Sequence, residues 1–172
     1  MEGNPRVAVV FASENDLPVM SDALKALGEF GIAHEVELTS AHRSPQRTHD
    51  YVRDAEKRGV QVFIAGAGAA AHLAGVIASL TTRPVIGVPL ANTSLGGTDA
   101  LYATVQMPAG VPVATMALDK AGARNAAIFA AQILALSDVA LTERLRAFKE
   151  KLAASVAETS ARVKKQISQG ET

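Results

Sequence analysis

Ser40-Ala41-His42-Arg43-Ser44-Pro45 sets an imidazole, which titrates near neutral pH, beside a guanidinium shaped to grip an anion at two points. The pair suits acid/base work on an anionic substrate, with Ser40 adding a hydroxyl to the same segment. A solvated loop whose Arg43 meets a surface carboxylate fits these residues equally well. Ala12-Ser13-Glu14-Asn15-Asp16 is a second cluster, placed where an apolar run gives way to a helical pattern. Ser13 and free N–H groups there suit a phosphate, and Asp16 suits ribose hydroxyls, or the segment is an ordinary capping turn. Gly66-Ala67-Gly68-Ala69-Ala70-Ala71 has the form G-x-G-x-x-A of dinucleotide sites, but the acid expected about 20 residues later is missing. The first acid after Gly66 is Asp99. What Gly66 and Gly68 retain is the ability to bring backbone N–H groups close to a ligand. His72, next along, adds a polar group or sits in the core. His34 and His49 have the sequence context of surface residues.

Composition narrows the chemistry. The chain has 172 residues, 48% hydrophobic, with no cysteine and 17 acidic against 17 basic side chains. This describes a single domain over 1–172, with its core at about 6–136 and a terminal helix at about 138–167. Balanced charge argues against nucleic acid as a partner. Without cysteine there is no disulfide frame, thiolate metal site or thiol nucleophile, and the four histidines lack ligand spacing, so no metal is expected. Met1 to Arg6 carries Glu2 and Pro5, which leaves no secretory segment and makes the cytoplasm the expected compartment. Val62 to Leu80 is long enough for a membrane helix, but Gly66, Gly68, His72 and Gly75 interrupt it, so no membrane span is expected.

The loops need elements to hold them. Arg6–Ala12 reads as a buried strand, Leu17–Phe30 as a helix with Asp16 as N-cap, and His34–Leu38 as an edge or half-buried strand. A helix follows over Pro45–Arg58, then a strand at Val60–Ala65, a loop at Gly66–Ala70 and a helix at Ala71–Leu80. Pro84–Val88 and Val113–Ala117 read as strands, and Asp99–Val105 and Gly122–Leu136 as helices. Alternating strands and helices imply a three-layer, doubly wound parallel sheet of the flavodoxin-like kind. Its ligands bind beyond the strand C-termini, at Ala12–Asp16, Thr39–Pro45, Gly66–His72 and Pro89–Asp99. Asp138 caps a last helix whose stripe runs from Leu141 to Ile167, and Ser168-Gln169-Gly170 marks a fraying tail. From Gly59 to Leu118 the only charged side chains are Arg83 and Asp99. A span so poor in charge is expected to meet another subunit as well as its own core, which makes the chain a homo-oligomer.

In order along the chain, the His42 segment, Ala65-Gly66-Ala67-Gly68-Ala69-Ala70-Ala71-His72-Leu73, Pro84-Val85-Ile86-Gly87-Val88-Pro89, Val105-Gln106-Met107-Pro108, Gly110 to Thr115 and Asn125-Ala126-Ala127 form a recognisable set. The chain resembles the 5-(carboxyamino)imidazole ribonucleotide mutases of purine biosynthesis over about Val7 to Leu136. The resemblance implies a cofactor-free isomerase that moves a carboxylate from the exocyclic nitrogen of a ribonucleotide to carbon 4 of its ring. It implies His42 as the catalytic residue, Ser13, Asp16 and Arg43 as substrate-binding residues, and the Gly66/Gly68 loop and His72 facing the migrating carboxylate. It also implies a homo-octamer with sites at subunit contacts. A related branch carboxylates the aminoimidazole ribonucleotide directly, usually with Lys after the catalytic His and Ser-Asn in the glycine loop. Arg43 and Ala70-Ala71 stand there in this chain. A non-catalytic nucleotide-binding oligomer is the alternative of a different class. Ala12, Asn15, Ala69, Ala74 and Ala100 depart from the family's usual loops, and Ala12 and Ala69 each add a Cβ that strains the backbone by about 1 kcal/mol or more where φ is positive.

Overall fold

The computed structural model describes residues 3–169. Met1 and Glu2, read above for a leader, and Gly170, read as part of the tail, lie outside them. Five parallel strands, β1 (Val7–Phe11), β2 (His34–Leu38), β3 (Val62–Gly68), β4 (Val85–Leu90) and β5 (Ala114–Thr115), form one sheet in the order β2-β1-β3-β4-β5. Between them run α1 (Leu17–Glu29), α2 (Pro45–Arg58), α3 (Leu73–Leu80) and α4 (Thr98–Val105), followed by α5 (Asp119–Ala135) and α6 (Val139–Ser168). The expected doubly wound, flavodoxin-like architecture is present.

Burial follows the sequence pattern. β1 and β4 are apolar throughout and buried throughout, because helices cover both faces of a parallel sheet. Ala8, Val10, Phe63 and Ala65 meet α2 and α3 through Val52, Ala55, Leu73 and Ile77 in one core cluster. On the opposite face Met20 of α1 lies against Gly66, and Val88 of β4 lies beside Gly122 of α5. β2 is the edge strand, as its alternation implies, and Glu35 and Glu37 bind Arg58 and Arg47 of α2.

Most boundaries shift by one to three residues from the sequence reading, and three differences matter for the sheet and the site. β3 runs through Gly66 to Gly68, two residues past Gly66. Gly66 is therefore a packing position rather than a ligand-facing loop residue, since a Cβ there would collide with the Met20 thioether. Gly66→Ala is expected to lower stability by about 1 kcal/mol, near the low end for overpacking because Met20 can bend away, as read by urea denaturation. β5 shrinks to two residues. Asp16 ends a single 3-10 turn, Glu14–Asp16, and makes no side-chain cap for α1; Ser13 caps that turn instead.

The contacts divide the chain into two units, Met1–Ile133 and Leu134–Thr172. The first holds the whole sheet. In the second, Asp138 caps α6 as expected, its carboxylate accepting Leu141 N–H at 3.0 Å. Leu152, Val156, Val163 and Ile167 along α6 are exposed. Among the described residues no helix is long and apolar enough to cross a membrane.

Candidate active site

At the carboxyl edge of the sheet, where β1 lies between β2 and β3, the crossovers on its two sides diverge and open a crevice. A cavity of about 330 Å³ occupies it, lined by Ser13 and Asp16 after β1, Ser40, His42 and Arg43 after β2, Ala67 to Ala70 at the end of β3, and Asn92 after β4. That volume suits a small ligand, on the order of 300–1,000 Å³ for such sites.

The His42 loop is tied by its own serines. Ser40 Oγ accepts Arg43 N–H at 3.2 Å, Ser44 N–H donates to the Ser40 carbonyl at 2.8 Å, and Ser44 Oγ accepts Ser40 N–H at 3.2 Å. Beneath them Thr39 and Thr48 hydroxyls pair at 2.9 Å, both buried. This rigid turn projects His42 and Arg43 into the crevice, and Arg43 Nη2 donates to the Ala12 carbonyl at 3.2 Å, joining the loops after β1 and β2.

His42 has a partner that spacing alone does not assign. Its Nε2 lies 2.8 Å from His72 Nδ1, with the rings edge to face. One of those two nitrogens carries the shared proton and the other accepts it, so the contact fixes complementary tautomers. His72 is exposed at the start of α3, not a core histidine, and it reaches His42 without lining the cavity. His34 and His49 stand apart: His34 Nδ1–H donates to the Ile32 carbonyl, and His49 is exposed beside Asp50.

Asp16 is nearly fully buried. Burial pushes its carboxyl above the ordinary range, opposed by hydrogen bonds from the Ser13 and Ala12 backbone and from Asn92. Asn92 Nδ2 donates to Asp16 Oδ1 at 3.4 Å. The sequence reading marks the loop that carries Asn92 but not the residue. It fits because Gly68 has no side chain, since a Cβ there would overlap the Asn92 amide. Ala69 does take the left-handed conformation, φ +53°, whereas Ala12 keeps negative φ. Among the described residues no three His, Asp or Glu side chains converge as metal ligands would.

A protonatable ring, a guanidinium and a buried carboxylate around one small cavity match acid/base chemistry on a phosphorylated, hydroxylated ligand. The family model described as AIR carboxylase matches residues 6–155. The chain belongs to the AIR carboxylase family. Its relatives within that family include the N5-carboxyaminoimidazole ribonucleotide mutase of Pyrococcus abyssi, 49% identical over 148 residues, covering 86% of this chain and 84% of that one. The protein of the same name from Mycobacterium leprae is 51% identical over 156 residues, covering 91% and 90%. Among solved structures, Treponema denticola PurE superposes with a TM-score of 0.85 at 24% identity, covering 93% of this chain and 99% of that one, a likeness of fold. The long charge-poor span, the serine-tied His42 turn and the Gly68–Asn92 fit all lie within the part matched to AIR carboxylase.

Proposed function

We propose that this chain is a mutase converting 5-(carboxyamino)imidazole ribonucleotide to 4-carboxy-5-aminoimidazole ribonucleotide in purine biosynthesis, an isomerase that needs no second substrate. The observation that carries the reading is His42 at a cavity between Arg43 and Asp16, in a chain about half identical to mutases over most of its length.

Two carbon bonds change. The bond from the exocyclic nitrogen to the carboxylate breaks, carbon dioxide forms, and the electron pair left on nitrogen takes a proton. Carbon 4 of the ring then attacks the carbon dioxide and loses its own proton. His42 gives the first proton and recovers the second, so the residue ends as it began. Arg43 binds phosphate, with Ser13 and Ser40 hydroxyls beside it, and Asp16 accepts from ribose hydroxyls with Asn92 steadying it. Gly68 keeps the cavity floor open. His72 acts through His42 by selecting its tautomer. Carbon dioxide is a small neutral gas, so it stays between the two steps only if the cavity closes around it.

Closure is supplied by neighbouring copies in a cytoplasmic homo-octamer, with residues 1–172 as one domain. Leu80, Leu95, Tyr102 and Val105 are exposed within a span whose only charges are Arg83 and Asp99, a surface suited to contact between copies. Sedimentation is expected to give a mass eight times that of one chain; a monomer at micromolar concentration refutes the assembly. Recovery in the soluble cytoplasmic fraction checks the compartment.

The activity is tested with substrate carrying carbon-13 in the migrating carboxylate, ATP absent. Label is expected on ring carbon 4, faster than in buffer. Label that leaves only as carbon dioxide, or does not move, refutes the mutase.

A further inference from the structure

Asp119 opens α5 with φ +55°, and it and Ala69 are the two non-glycine residues with positive φ among the described residues. Such a backbone costs a residue with a Cβ roughly 1 kcal/mol or more, and Asp tolerates it better than most. The conformation aims its side chain at a distant group: Asp119 Oδ1 accepts Ala91 N–H at 2.8 Å. Ala91 follows β4 at a place where the sheet offers no neighbour on that side, because β5 pairs only with Ile86 and Gly87. The carboxylate satisfies a backbone donor that a longer β5 would have taken.

Ala91 is held from a second direction. Gly97 sits against it at φ +85°, so close that a Cβ would come within 2.9 Å of Ala91 Cβ and 2.7 Å of Leu118 Cδ2. The loop from Asn92 to Gly96 thus starts and finishes on Ala91. Its first residue, Asn92, reaches over Gly68 to Asp16. Asp119 does not line the His42 cavity; it lines a separate one with Asn15, Asp16, Asn92 and Lys120.

We propose that Asp119 is a positioning residue for the substrate site: its carboxylate, carried on a left-handed turn, anchors Ala91 and so presents the Asn92 amide to Asp16. The inference rests on the proposed contact of Asp16 with the ribose.

Substitutions separate the acceptor from the backbone. Asp119→Gly removes the carboxylate and also the left-handed strain, so its Tm is expected to stay near that of the wild type. Asp119→Asn keeps a carbonyl acceptor and a side chain that tolerates positive φ. With the carboxyamino substrate, KM is expected to rise about 5- to 10-fold in Asp119→Gly with kcat within about twofold, and Asp119→Asn is expected to restore KM to within about twofold. Asn92→Ala is expected to raise KM similarly, and the Asp119→Gly/Asn92→Ala double variant no further, because both changes break one path. A residue that merely starts α5 would move Tm and leave KM alone. Unchanged KM in Asp119→Gly, or full additivity in the double variant, overturns the proposal. If the wild type itself does not turn over, the mutase reading falls, and the wild type and its four variants are then compared by their Kd for aminoimidazole ribonucleotide. There the non-additive loss of affinity supports the positioning role and additive or absent loss overturns it.

Discussion

His42→Asn is expected to cut carboxylate transfer by about 10²- to 10⁴-fold, the usual contribution of a positioned proton carrier, while affinity for aminoimidazole ribonucleotide stays within a few-fold. The two readouts diverge for a physical reason. Asn fills much of the imidazole's volume and offers hydrogen bonds of similar reach, so the turn held by Ser40 and Ser44 keeps its shape. It cannot, however, take up and return a proton. The exocyclic nitrogen then receives no proton as its carboxylate departs, and carbon 4 has no base to complete the transfer. His72 does not substitute, since it touches His42 and does not line the cavity. Labelled-substrate NMR reads transfer, and calorimetry reads affinity. Wild-type transfer in the variant would remove His42 from the chemistry, and equal loss of transfer and affinity would make it a binding residue.

Asp16→Asn is expected to lower kcat/KM roughly 10- to 150-fold, the effect of weakening hydrogen bonds to a charged acceptor worth about 1.5–3 kcal/mol. The same change is expected to make the fold relatively more stable as pH rises. Burial holds the folded Asp16 carboxyl above its ordinary value of 3.8. Below that value the group is protonated in both states and contributes nothing. Through the window from 3.8 up to the raised folded value, the unfolded chain ionises first, so the wild type loses stability with increasing pH. Above the window the loss is constant. The amide that replaces the carboxyl does not titrate, and the other acids are common to both proteins, so the Tm difference in favour of the variant grows across the window and then levels off. A Tm difference independent of pH would contradict the burial argument, and an unchanged kcat/KM would remove Asp16 from the ribose. A carboxyl held in a buried place at a cost to the fold is what a binding role predicts.

Much of this site lies in view along the chain because its parts are local. The His42 turn is a run of mostly polar residues between an edge strand and a helix that opens with Pro45, and the serine and threonine bonds that tie it join residues no more than nine apart. The added Cβ atoms at Ala12 and Ala69 are local facts too, but only Ala69 takes the positive φ that makes one a strain, and the chain around Ala12 does not announce its negative φ. Gly66 misleads because a glycine in a strand and a glycine in a loop look identical until the helix that needs the space is known. Met20, which needs it, lies 46 residues earlier in the chain. Asp16 misleads in the opposite way. Asp before a helix is a natural cap. Here the extra 3-10 turn hands capping to Ser13 and leaves the carboxylate to the cavity.

By itself the sequence determined the alternation of buried strands and helices, the polar loops at the strand ends, and the residues able to move a proton or hold an anion, since these follow from periodicity and side-chain chemistry. Only the tertiary structure decided the partners: His72 on His42, 30 residues away, Asn92 on Asp16, 76 residues away, and Asp119 on Ala91, 28 residues away. Those contacts depend on the order of strands in the sheet and on how closely each helix approaches it, and neither leaves a local pattern in the chain.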